Sequence, residues 1–126
     1  MEYFNIIFVC YVLSFLVPSQ YPANFNVTAT TSTSITANWQ LPPADSRNGI
    51  IRGFKLFYKK KDHASSPTIL TINSAGILTR SVTGLDIYTE YEFQVLAFTS
   101  VGDGPKSTVR DKRTKEDGKE LKKIKF

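Results

Sequence analysis

From Pro22 onward, apolar and polar side chains alternate in short runs, and Pro, Gly, Asn and Asp separate each run from the next. A period of two marks a half-buried strand, because successive side chains leave opposite faces of an extended backbone. The first run places Phe25, Val27 and Ala29 on one parity and Asn26 and Thr28 on the other. The second, "STSITANW", turns Ile35, Ala37 and Trp39 inward and Ser34, Thr36 and Asn38 outward. Pro42-Pro43 then stops it, since proline cannot donate to a ladder. "RNG", ending at Gly49, is a turn signal, and "IIRGFKLFYKKK" follows. There Phe54, Leu56 and Tyr58 share one face while Lys55, Phe57 and Lys59 share the other.

"PTILTIN" predicts a short strand before a turn at Ser74-Ala75-Gly76. "ILTRSVTGL" sets Leu78, Arg80 and Val82 against Ile77, Thr79 and Ser81, and periodicity alone does not say which set is inward. In "YEFQVLAFT" the inward set is Tyr91, Phe93, Val95 and Ala97, and the outward set is Glu92, Gln94, Leu96 and Phe98. The pattern dissolves in Gly102-Asp103-Gly104-Pro105 and resumes in "KSTVRDKRT". Seven runs with no helical stretch between them predict an all-β sandwich or barrel and exclude alternating strand–helix units.

The N-terminus reads differently. Residues 6–17 are apolar except for Ser14, a run that falls short of the ~20 residues needed to span a bilayer and suits a secretory leader. Val17-Pro18-Ser19 predicts cleavage after Ser19, although Glu2 stands where a positive start is usual, and an uncleaved anchor or a wrongly assigned first exon is the alternative. The expected organisation is therefore a signal peptide over 1–19, a domain over 20–114, and a disordered basic tail over 115–126. The tail "EDGKELKKIKF" has too few apolar residues to dock as an amphipathic helix.

Charge sharpens this division. The 126 residues carry a net +5, yet residues 1–105 hold seven basic and seven acidic residues, and the surplus lies beyond them. A neutral body with a basic tail speaks against a nucleic-acid module, which needs a basic stripe across its folded surface. Cys10 is the single cysteine and lies in the leader, so the mature chain is expected to hold no thiol or disulfide. His63 is the single histidine, in a polar turn. Lys59-Lys60-Lys61 is either an anion-binding patch or a solvated strand end. The acidic residues scatter over turns and strand exteriors, and Gly102-Asp103-Gly104 is too short for a dinucleotide loop. With no converging nucleophile, base or metal set, no catalysis and no cofactor are expected.

Four pieces together resemble a fibronectin type III domain: "PANFNV", "STSITANWQLPP", "NGIIRGFKLFYKK" and "GLDIYTEYEFQVLAFTSVGDGP". The resemblance covers about residues 22–114 and implies a seven-stranded immunoglobulin-like β-sandwich. It implies a structural core of Trp39, Tyr58, Leu85 and Tyr91, with Trp39 filling the gap between sheets, so that Trp39→Ala would cost roughly 3–5 kcal/mol. It gives Tyr91 the role of the corner tyrosine, whose hydroxyl bonds back to the backbone near Leu85 or Asp86. The missing cysteine pair separates the chain from antibody-type domains.

Such domains occur in cell-adhesion receptors and receptor tyrosine phosphatase ectodomains, which the "NGII" and "GDGP" turns resemble. The implied function is an extracellular adhesion or protein-interaction module, secreted or at the cell surface, in a fragment or short form of a multidomain receptor. A structural spacer, or a secreted ligand held on acidic glycans by its tail, is the alternative. Candidate contact residues are Phe57, Leu96 and Phe98, as an apolar strip on the outer face of one sheet, with Ser100, Val101 and Asp103 in the following loop. The stems of flanking Lys55, Lys59 and Gln94 lying over that strip would instead remove it from water. The loop lacks Arg-Gly-Asp, so integrin recognition by that route is unsupported. Asn26-Val27-Thr28 is a glycosylation sequon, with Asn26 on the outward parity.

Overall fold

A computed structural model describes residues 16–117; Cys10, most of the apolar leader and most of the basic tail lie outside the described residues. Seven strands form: β1 (Ala23–Thr31), β2 (Ser34–Gln40), β3 (Gly53–Lys60), β4 (Thr68–Ile72), β5 (Thr79–Val82), β6 (Glu90–Phe98) and β7 (Arg110–Arg113). One 3-10 turn (Ala44–Ser46) sits between β2 and β3. The strands make a three-stranded sheet, ordered β1-β2-β5, and a four-stranded sheet, ordered β4-β3-β6-β7. Every strand pair is antiparallel. This is the expected seven-stranded sandwich.

Its interior follows the period-two reading. Ile35, Ala37 and Trp39 from one sheet meet Phe54, Leu56, Phe93, Val95 and Ala97 from the other, all buried. The Trp39 and Phe54 rings pack at 5.4 Å between centroids, tilted by 56°. Trp39 Nε1 is buried with no hydrogen-bond partner, so the indole is held by packing alone. In β5 it is Val82 that turns inward while Arg80 is exposed. Tyr58 is only half-buried, with its ring stacked on Phe93 at 6.0 Å. Gly53 opens β3 because a side chain there would collide with the Ile72 carbonyl oxygen, 2.0 Å from an ideal Cβ.

The corner of the fold is closed as the resemblance implies. The Tyr91 hydroxyl accepts a 2.9 Å hydrogen bond from the Asp86 N–H, and the buried Leu85 donates its N–H to the Thr33 carbonyl. Beside them the buried Thr114 hydroxyl donates to the Asp86 carbonyl and accepts from the Thr89 N–H. The seventh strand is shorter than the run "KSTVRDKRT" suggests. Ahead of it the Ser107 hydroxyl accepts from the Val95 N–H at 3.0 Å, replacing a ladder bond by a side-chain bond.

Candidate protein-contact surface

The outer face of the four-stranded sheet carries Lys55, Phe57 and Lys59 from β3 opposite Leu96, Gln94 and Glu92 from β6. Phe57 and Leu96 are not exposed on it. Only 7 % of Phe57 and 4 % of Leu96 is open to water, which corrects the expectation of an apolar strip there. The physical reason is a lid. Lys106 lays its ammonium 4.3 Å from the centre of the Phe57 ring, a cation–π contact whose stem also covers apolar surface. Lys55 does the same to half-buried Phe98 at 5.8 Å, and is itself tied to Asp103 at 2.9 Å. An open groove of about 230 Å³ remains beside the lid, between Pro67, Val109 and Glu92.

The three consecutive lysines that end β3 and follow it are spoken for. Lys59 pairs with Glu92 at 3.3 Å, Lys60 with Asp86, and Lys61 with both Glu90 and Asp111. Arg113 joins the same group through Glu90 at 3.1 Å. The hydrogen bond and charge of Asp86 hold the Lys60 ammonium above its ordinary pKa, and Asp111, then Glu90, do so for Lys61. This array is a solvated, internally neutralised strand end and leaves no free anion site. His63 is an exposed loop residue whose carbonyl accepts from Lys59. Among the described residues no cluster of His, Cys, Asp or Glu could hold a metal ion.

The loop between β6 and β7 is different. Ser100, Val101 and Asp103 are exposed, and Asp103 bridges back to Phe98. Beneath them runs a segment that the sequence reading assigned to the leader. Pro18 is fully buried, and an added Cβ on Gly104 would sit only 2.8 Å from the Pro18 ring. The Thr99 hydroxyl donates to the Leu16 carbonyl at 2.6 Å, and the Asn48 amide donates to the Val17 carbonyl at 3.0 Å. The Ser19 N–H donates to the Ser46 carbonyl at 2.9 Å. Residues 16–19 therefore strap the β2–β3 loop to the β6–β7 loop.

That strap assembles an apolar cluster. Leu16 is 39 % exposed, Ile50 71 % and Val101 42 %. Thr99 links their segments: its hydroxyl donates to the Leu16 carbonyl and accepts the Val101 N–H at 3.2 Å, and Gly49, the residue before Ile50, lies beside its methyl group. Sequence reasoning reached Val101 and missed Leu16 and Ile50. The signal for Ile50 was the doubled apolar pair after the turn: Ile51 is buried, so its neighbour must face out. For Leu16 there was none, because the apolar run hides it.

On the three-stranded sheet Asn26 is exposed, its amide donating to the Asn24 carbonyl at 3.3 Å. Arg110 and Lys112 on β7 are exposed and make no ion pair among the described residues. Among those residues no helix is long and apolar enough to cross a membrane.

The sequence that builds these two sheets and their tyrosine corner matches the family model of the fibronectin type III domain over residues 20–113. The chain belongs to the fibronectin type III family. It is 42 % identical to chicken protein sidekick-1 over 102 residues, which is 80 % of this chain and 5 % of that protein. It is 40 % identical to Drosophila tyrosine-protein phosphatase Lar over 105 residues, again 80 % of this chain and 5 % of that one. The chain thus spans about one twentieth of the length of these relatives. Among solved structures, the third fibronectin III domain of human KIAA0343 protein superposes with a TM-score of 0.73 at 25 % identity, covering 82 % of this chain and 87 % of that one.

Proposed function

We propose that this fibronectin type III domain is a non-catalytic extracellular adhesion module, part of a larger receptor, that engages a protein partner through the loop pole, in a form that keeps residues 16–19 instead of losing them to cleavage after Ser19. The observation that carries this is that Leu16, Ile50 and Val101, three large apolar side chains on the strap and the two loops it ties, are open to water, with Leu16 and Val101 both hydrogen-bonded through their backbones to the Thr99 hydroxyl. Exposed apolar side chains gathered in one place and rimmed by polar groups are the usual physical mark of a contact surface. Here Ser100 and Asp103 supply the rim, and Phe98 supports the loop from below. Phe57 and Leu96 act in this reading as buried support. The matched stretch of Lar is one twentieth of that phosphatase. Asn26, exposed on the opposite sheet, is positioned to carry a glycan without obstructing the pole.

The test is attachment of cells to a surface coated with the full chain. Ile50→Lys with Val101→Lys abolishes attachment at unchanged melting temperature if the pole is the site. Attachment that survives both substitutions makes the domain a spacer. A second reading, retention on acidic glycans, is favoured by exposed Arg110 and Lys112, which make no ion pair among the described residues and lead toward the basic tail. It requires elution from heparin to move with ionic strength and to fall when Arg110 and Lys112 are replaced by Ser.

A further inference from the structure

A sandwich of two open sheets has four edge strands, and each presents unpaired backbone groups that another chain can join unless something prevents it. Here the four edges are unequally protected. β7 reads Arg-Asp-Lys-Arg, four exposed charges, and its Arg110 and Lys112 pair with Phe93 and Tyr91 and so stand on the inward parity. Inward-pointing charge on an edge is a known device against pairing. β1 is broken by two register shifts, has Asn24 at φ 51°, and is met at its end by the Lys115 N–H on the Thr31 carbonyl. β5 is four residues long with Arg80 exposed at its centre. Only β4 has no such device.

β4 reads Thr-Ile-Leu-Thr-Ile, pairs with β3 over all five residues without a register shift, and has no strand on its other side. Ile69 on its outer face is 52 % exposed. No charged residue occurs anywhere from 64 to 79. The nearest cations, Lys55 and Lys59 on β3, are each neutralised by Asp103 and Glu92.

We propose that β4 is a self-association edge, at which a second copy of this chain adds antiparallel to make one continuous eight-stranded sheet. The occupant follows from charge and from symmetry. A charged extended peptide would find no counter-charge over this segment, whereas a second β4 meets no repulsion. The strand is also self-complementary about Leu70. Antiparallel pairing centred there sets Leu70 against Leu70, Ile69 against Thr71 and Thr68 against Ile72, all pairings of β-branched or apolar residues that favour cross-strand contact. Joining the edges satisfies the free backbone groups of both copies in one step.

The test uses the full chain in sedimentation equilibrium over a concentration series. The wild-type chain shifts from monomer to twice that mass as concentration rises. Ile69→Lys with Thr71→Lys places introduced ammonium groups directly opposite each other in this register, and the chain stays monomeric with an unchanged monomer fold by circular dichroism. Mixing that variant with Ile69→Glu, Thr71→Glu restores a heterodimer. If the double variants fail to fold, Thr71→Lys alone, at an exposed position, must weaken the dimer measurably. A monomer at every wild-type concentration, a dimer that survives the substitutions, or oppositely charged variants that do not recombine overturns the proposal. Val101→Lys at the loop pole leaves this dimer intact while removing cell attachment, so the two surfaces fail separately.

Discussion

The two faces of the four-stranded sheet bury aromatic residues to nearly the same extent by different means. On the inner face Phe54 and Phe93 are fully enclosed: Trp39 of the opposite sheet packs against Phe54, and Tyr58, the cross-strand neighbour of Phe93 in its own sheet, stacks on Phe93. On the outer face Phe57 lies between Ile69 and Gln94 and is covered by a flexible lysine, Lys106, which is itself exposed. Burial fraction therefore does not rank these positions energetically. What ranks them is whether the surroundings can close over a vacancy.

The largest effect that would sharpen this contrast is Phe93→Ala. A rigid two-sheet interior cannot collapse into the space, so about 3–5 kcal/mol is expected in denaturant unfolding, with the m-value unchanged. Phe57→Ala, at similar burial, should cost only the transfer share of about 1.5–3 kcal/mol, since the lysine stem can settle onto the shortened side chain. Equal losses at the two sites would break the comparison. Smaller again is Lys106→Met, which keeps a stem over Phe57 and removes the charge. A loss of roughly 0.5–1 kcal/mol, the worth of an exposed cation–π contact, is expected, and no loss would assign the lid wholly to its methylenes.

The smallest effect concerns the ion pairs at the sheet's end. Lys60 and Lys61 have pKa values raised above the ordinary 10.5 by Asp86 and by Asp111 with Glu90. A raised folded-state pKa gives a contribution that is complete below the unfolded value and is lost as pH rises through the folded one. Stability should therefore be flat in this respect at neutral pH and decline only in alkaline solution. Lys61→Met should flatten part of that decline, read as thermal unfolding against pH.

The inner face was legible because the period-two rule concerns a residue and its immediate neighbours. Trp39, Phe54, Phe93 and Val95 all sit where alternation places them. Tyr91 was legible for a similar reason, its partner Asp86 being close in sequence. The outer face was legible only in part: a cover of stems from neighbouring strand residues could be foreseen, as Lys55 over Phe98 shows, but alternation says nothing of Lys106 arriving over Phe57 from beyond β6. β7 was overextended because Ser107 gives Val95 one backbone bond and receives the return bond on its hydroxyl, which an alternation pattern cannot distinguish from a ladder. Leu16 escaped altogether: an apolar run has no parity to break, and the slot that takes Pro18 exists only once two distant loops have come together.

The strap over residues 16–19 lies at the pole of the β6–β7 loop, whereas the Lys115 N–H is bonded to Thr31 at the opposite pole. β1 and β7 both run from the first pole to the second. A pull on the two ends of the domain therefore drags these strands in opposite directions along their own axes. The ladder bonds of β1 and β7 are then loaded together rather than peeled one after another, so the domain resists tension along its length better than across it.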